Sequence, residues 1–591
     1  MSSRPGPTRR PLLRLATAIQ LLAALAVSAS VAAQPATIPD FPLAAVAAGM
    51  SGYALTTGPG DVIESFPVEV VGVQFDAVPG LDLVLIRVSG PFIEASGGVA
   101  AGMSGSPVYL VSEAQPALLG AIGYVFPNAD HNLALVTPIA AMRNESADAG
   151  RVSALEVQGY GRAVAVATPL LLSGSGERAA ALLAPLFRDG SVSPFPIQAS
   201  GGGLPTPHDF KLVPGAAIAV QLLSGAVELS AVGTVTAVEG TRLLALGHPF
   251  LGLGAVSFGL APAHVTTIVS SSVVPFKLAN VGTGSLGAVV LDAPAAVAAV
   301  VGARPDTVPV TITLDTGTRQ ETFEVLVAAD ERLYPTLTAV ATLQLIDRLL
   351  RKSSAGHAEL AWEIELGSDG RLNMLEQIDS DTDVALASAR LAGGPLAILA
   401  TNAFQAPTVT AIDLSVTLTT EPNYATVESL VLEEKTVAAG AHAIVHVRLQ
   451  PYRRQAIVRT FSVPLPDSLS GDVTLLVRGG DVPREIEDVP AEGGEVDEPR
   501  SFFELLEALR EQLQASELVI ESVDAEGDIR RLLRIALPFV VHGSQEVTLS
   551  VTSAPAVPAG EPADQPEAAP LGAEEEHTDE AQQDTGGGSG G

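Results

Sequence analysis

Residues 102–107 read Gly-Met-Ser-Gly-Ser-Pro. Ser104 stands between Gly102 and Gly105, and glycine lets a backbone take positive φ and come close to a ligand. A turn of that make-up exposes a hydroxyl while its own N–H groups converge on one point. A serine nucleophile and its oxyanion hole need that geometry, here with the N–H groups of Ser104 and Gly102 as donors. The same residue types also build an ordinary tight loop between strands. Gly49-Met50-Ser51-Gly52 repeats the first four letters without the closing Ser-Pro, and Ser51 reads as a turn residue.

A serine hydroxyl needs a neighbouring base, and the chain offers nine histidines. His577 lies in an acidic tail, and His442 and His446 sit in an alternating strand pattern. His357 and His542 have no companions, while His131 and His208 lie in loops and His264 in Ala-Pro-Ala-His-Val. His248 ends the apolar run Leu243–Leu246 between Gly247 and Pro249, at a strand-to-loop transition of the kind that carries catalytic groups. A structural histidine bonded within a turn is the competing reading. If the two residues act together, Ser104 Oγ and His248 Nε2 should lie about 2.6–3.2 Å apart, or somewhat further in an unliganded form.

Metal and cofactor chemistry finds little support. His442 and His446 have helical zinc spacing, but four residues of strand span roughly 13 Å. Asp379-Ser-Asp-Thr-Asp383 imitates a calcium loop, yet Val384 and Arg390 occupy the positions of its glycine and closing glutamate. No cofactor is expected.

These residues must be positioned by β structure. Short apolar runs bounded by Gly, Pro or Asp recur at Phe66–Val73, Leu83–Val88, Leu118–Val125, Ile218–Leu223 and Gly233–Val238. Helices are expected at Pro335–Lys352, from its apolar spacing, and at Ser501–Ala515, where Ser501 and Glu504 form a capping box. The expected division is a Ser-bearing β half at 34–150, a connecting region at 151–225 with Gly201-Gly202-Gly203, and a His-bearing β half at 226–330. A mixed α/β region at 331–420, a β-sandwich-like region with one helix at 421–553 and a disordered acidic tail at 554–591 follow.

Arg9, Arg10 and Arg14 precede an apolar stretch ending at Ala33, the layout of a secretory signal peptide, so a secreted or periplasmic chain without a membrane span is expected. With no cysteine, stability must come from the core alone. A net charge of −33, with only four lysines, argues against nucleic acid and anionic lipid as partners.

The segments Gly97-Gly-Val-Ala-Ala-Gly-Met-Ser-Gly-Ser-Pro-Val108, Leu118–Phe126, Val136–Ile139, Gly233–Thr236 and Ala245-Leu-Gly-His-Pro249 together resemble the SpoIVB-type serine peptidases, over about 34–330. The resemblance implies a serine endopeptidase acting on a protein or peptide substrate, with Ser104 as nucleophile and His248 as base. The likeness of Gly-x-Ser-Gly-x-Pro to chymotrypsin-like proteases implies a double β-barrel. Ser104 precedes His248, the reverse of the sporulation enzyme, which implies a circular permutation or exchanged halves. The family's acid lies fifteen residues before the nucleophile, where this chain has Ser89; Asp82 or Glu94 would have to substitute. The alternative is a catalytically silent peptidase-like protein that binds or scaffolds in the cell envelope. A purely structural β surface protein explains the C-terminal blocks but not the paired motifs.

Overall fold

A computed structural model describes residues 38–553, except 79, 113–114, 128–129, 146–154, 158–159, 174–175, 188–194, 200–209, 352, 481, 483–498 and 525–526. The expected signal peptide, the Gly201-Gly202-Gly203 loop, His208 and the acidic tail with His577 lie outside the described residues. The fold is mainly β, with 53% strand and 17% helix, and contains two closed six-stranded barrels.

Barrel one is built from β1 (Ser51–Thr57), β2 (Ile63–Val78), β3 (Leu81–Val88), β4 (Pro107–Ser112), β5 (Gln115–Val125) and β6 (Leu133–Pro138). The ring runs β1-β2-β3-β6-β5-β4 and closes by antiparallel pairing of β4 with β1. Val68, Val70, Val84, Ile86, Val108, Ile122 and Val136 fill a shared core, as β-branched side chains do on a pleated surface. A short helix, α1 (Pro91–Ser96), begins the crossover from β3 to β4, and the Ser104 loop completes it. Helix α2 (Ile139–Asn144) follows β6, while β7 (Leu155–Val157) and β8 (Gly161–Ala165) extend the sheet beyond β5.

After β9 (Pro169–Ser173), α3 (Gly176–Leu183) and β10 (Phe195–Ala199) comes barrel two. Its strands are β11 (Ala217–Gly225), β12 (Leu229–Glu239), β13 (Arg242–Ala245), β14 (Gly254–Val269), β16 (Gly287–Ala293) and β17 (Ala296–Val301), with β15 (Phe276–Val281) paired to β14. The ring β11-β12-β13-β17-β16-β14 closes by the pairing of β14 with β11. Its first strand therefore falls inside the stretch that the sequence assigned to a connecting region.

The same sheet continues through β18 (Thr307–Asp315), β19 (Gln320–Ala328), β20 (Gly356–Glu365), β21 (Arg371–Ser380) and β22 (Ala411–Thr419). Helices α4 (Tyr334–Leu350) and α5 (Val384–Thr401) pack against each other. By length and apolar composition α5 is able to cross a membrane, and half of it is buried in this fold. Beyond residue 420 a four-stranded and a five-stranded sheet enclose one core containing Val427, Val445, Leu475, Ile520 and Leu549. Helix α6 (Phe502–Arg510) starts at Ser501, whose hydroxyl accepts from the Glu504 N–H. The Glu504 carboxylate reaches the Arg500 N–H, one residue before the partner a capping box uses.

Candidate active site

The Ser104 loop leaves barrel one and lands on barrel two. Gly102 and Gly105 have φ of +87° and +88°, which demand glycine. Gly105 has a second reason: a Cβ there would lie 2.0 Å from Thr234 O and 2.5 Å from Leu246 N. Thr234, on β12, clamps the turn from the other side. Its N–H donates to Ser104 O at 2.8 Å, and its hydroxyl donates to Gly102 O at 2.9 Å. Two residues along, the Thr236 hydroxyl donates to Gly105 O. Gly105 N–H donates to Ile122 O on β5, and within the loop Ser106 N–H donates to Met103 O.

His248 is presented by the turn after β13. Leu246 and Gly247 both have left-handed backbones, at φ +66° and +70°. For leucine this is strained, and such strain persists only where the surroundings enforce it. Barrel one supplies the enforcement: Thr137 on β6 donates to Gly247 O at 2.6 Å, and Gly123 lacks the Cβ that would lie 2.3 Å from the same oxygen. Tyr124, fully buried, sets its ring edge-on to the imidazole with centroids 6.2 Å apart.

His248 Nδ1 lies 2.7 Å from Pro249 O. A carbonyl only accepts, so Nδ1 carries the proton and Nε2 keeps its lone pair, the tautomer a general base needs. Burial pulls the His248 pKa down to about 4, partly countered by the Pro249 bond, so the ring is neutral at pH 7.

Ser104 and His248 are both fully buried, and neither Ser104 Oγ nor His248 Nε2 has a hydrogen-bond partner. The serine–imidazole bond expected from the sequence is therefore not made, although the loops that carry the two residues meet where Gly105 abuts Leu246. The hydroxyls of Ser106 and Thr168 are buried without partners as well. Each such group costs about 1–3 kcal/mol, and others of the kind, Tyr334 Oη and Ser522 Oγ among them, lie away from these loops.

Two expected roles fail. Asp82 accepts from the Asp76 N–H at 2.8 Å and braces the bend between β2 and β3; it does not touch His248. The imidazole is oriented by its neighbour's carbonyl, where a carboxylate was expected. The Gly102 N–H donates to Ala167 O at 3.1 Å and so is unavailable to an oxyanion. The Ser104 N–H has no partner among the described residues and remains a free donor. Of the other residues weighed, Ser51 opens β1 at the surface, Ser89 precedes the Gly90 cap of α1, and Glu94 lies in its first turn.

Sequence reasoning missed two residues. Asp292, on β16 and fully buried, accepts from the N–H groups of Phe250 and Leu251 at 2.7 Å and of Leu253 at 3.3 Å, so it shapes the loop that begins at His248. Burial pushes its pKa up, against the pull of these bonds. Lys277, on β15, is also fully buried and packs against Gly102. Both were visible as lone charges in apolar strand runs. A separate pair, His264 Nδ1 and Asp61 Oδ2 at 2.9 Å, joins β14 to the turn after β1.

The class defined by fold and site is a double β-barrel with a serine loop and a histidine loop meeting between the barrels. No family model, curated protein or solved structure matches the chain.

Proposed function

We propose that this chain is an exported serine endopeptidase of the SpoIVB-like type, with Ser104 as nucleophile and His248 as base. One observation carries the reading. A serine hydroxyl and the lone-pair nitrogen of a neutral imidazole are both buried unpaired, on two loops that meet between two barrels. Other buried side-chain atoms also lack partners, such as Tyr334 Oη and Ser522 Oγ; what marks this pair is that a nucleophile and a base stand on loops that adjoin where Gly105 meets Leu246.

In the reaction, Ser104 Oγ attacks the scissile carbonyl carbon while its proton passes to His248 Nε2. The oxyanion is held by the Ser104 N–H. The imidazolium returns the proton to the leaving amine, and water then hydrolyses the acyl-enzyme by the same steps. Pro249 O holds the ring in place but stabilises the imidazolium less than a carboxylate does, so turnover is slow relative to enzymes with a complete triad. In this arrangement Ser104 is fully enclosed.

The second reading, a silent peptidase-like binding module, draws on the same enclosure and on the missing serine–imidazole bond. Fluorophosphonate labelling of the purified chain separates them. Labelling that maps to Ser104, disappears in Ser104→Ala and falls at least a hundredfold in His248→Ala is expected. An unlabelled wild type, or full labelling of both variants, overturns the peptidase.

A further inference from the structure

The strand β15 carries one of the four lysines of the chain, and it is the least expected side chain in the molecule. Lys277 is fully buried between the barrels. Its Nζ lies 2.8 Å from Thr56 Oγ1 on β1 and 3.1 Å from Thr234 Oγ1 on β12. The Thr234 hydroxyl gives its own proton to Gly102 O, so it must accept from the lysine. The stem runs along the serine loop: a Cβ at Gly102 would lie 3.2 Å from Lys277 Cδ. The backbone is tied as well, since Lys277 N–H donates to Ala101 O and Ala101 N–H to Pro275 O.

We propose, resting on the peptidase reading above, that Lys277 is a positioning residue for Ser104, acting as an uncharged amine that ties both barrels to the serine loop through Thr234. Two hydroxyl acceptors use both hydrogens of a neutral amine. A protonated one has a third N–H with no acceptor among the described residues, and no charged group acts on it there. The side chain is shifted by burial alone, to a pKa of about 7, with no charged neighbour contributing. The titratable groups on the elements around it are engaged elsewhere or sit at strand ends. Tyr53 of β1 stacks on Tyr109, Glu239 of β12 pairs with Arg143, and His264 of β14 is held by Asp61. Neither β9 nor β10 carries a titratable side chain.

Protonating Lys277 therefore loosens the hold on Gly102 and Ser104, whereas protonating His248 removes the base. The two effects fall at different pH values. Phosphonylation of wild-type Ser104 by a fluorophosphonate should rise with pH in two steps, near 4 and near 7. Lys277→Met, which keeps the stem and drops the amine, should react at least tenfold more slowly and lose the upper step only. An unchanged rate and profile in Lys277→Met overturns the proposal.

Amide hydrogen exchange supplies a reading that needs no activity. Gly102, Met103, Gly105 and Ser106 all donate backbone hydrogen bonds. Exchange at 102–106 should speed at least tenfold in Lys277→Met, with residues 411–419 of β22 unaffected. Thr234→Val, which cuts the same link with the lysine retained, should do the same and serves if Lys277→Met does not fold. Exchange unchanged in the folded variant sinks the positioning role whether or not Ser104 reacts. An unlabelled wild type whose loop does loosen in these variants sinks only the peptidase.

Discussion

In the proposed reaction His248 is a base held without an acid beside it. A triad carboxylate fixes the imidazole tautomer and stabilises its cation. Pro249 O performs the first task alone, because a carbonyl obliges Nδ1 to carry the proton. The second task has no carboxylate to perform it at the ring; the loop beyond the ring is shaped by Asp292. Its carboxylate gathers N–H groups from Phe250, Leu251 and Leu253, the residues that follow the His248-Pro249 pair. Asp292→Ala strands those donors in a buried place, at about 1–3 kcal/mol for each one left unsatisfied. Thermal unfolding should reveal a loss of at least about 3 kcal/mol. Asp292→Asn keeps one acceptor oxygen and should recover about half of that loss. A loss below about 1 kcal/mol for Asp292→Ala would show that the loop holds its shape unaided.

At the scale of elements, what the chain announces is what local chemistry decides. The runs Phe66–Val73, Leu83–Val88, Leu118–Val125, Ile218–Leu223 and Gly233–Val238 lie within β2, β3, β5, β11 and β12, since apolar stretches cut by Gly and Pro leave few alternatives. Helices α4 and α6 were legible for the same reason, by apolar spacing and by the Ser501 cap. Helix α5 was not legible. Gly393-Gly394-Pro395 reads as a break, and Asp379–Asp383 reads as a failed calcium loop. In the fold Asp383 caps α5 by accepting from the Leu386 N–H at 3.0 Å, and Pro395 sits buried inside the helix. Gly393 explains why packing overrides propensity: a Cβ there would lie 2.6 Å from Pro335 O of α4, so the glycine lets the two helices touch. Its neighbour Gly394 faces open space. The two glycines should therefore respond to alanine with opposite signs. Gly393→Ala should destabilise by about 1–3 kcal/mol through overpacking, and Gly394→Ala should stabilise by up to about 1 kcal/mol through helix propensity. Denaturant titration of the two variants measures both, and a like sign for the pair would refute the close α4–α5 contact.

Across the whole molecule, the site exists only because two barrels meet. Ser104 and Thr234 are 130 positions apart, and no spacing rule connects them; the sequence pointed to Ser104 and His248 through their local motifs. It was silent on the orienting groups. Asp82 looked eligible because it precedes the right strand, but a carboxylate at a hairpin bend meets its own turn before it meets a distant loop. The junction between barrels is buried, and it holds two groups, His248 and Lys277, whose proton affinities burial lowers from 6.5 to about 4 and from 10.5 to about 7. In both windows the unfolded chain binds more protons than the folded one, so stability rises with pH across each. Lys277→Met removes the upper window alone. The stability of wild type minus that of Lys277→Met should be flat below pH 7, climb between about 7 and 10.5, and level off above, by a few kcal/mol at about 1.4 kcal/mol per pKa unit. Electrostatic self-repulsion among the excess carboxylates behind the net charge of −33 is common to both chains and cancels in the difference. Paired melting curves from pH 5 to 10 read this directly. A level difference across that range means that Nζ keeps its ordinary proton affinity and that water reaches it, and the buried junction holding Ser104 and His248 apart from solvent would not exist in solution.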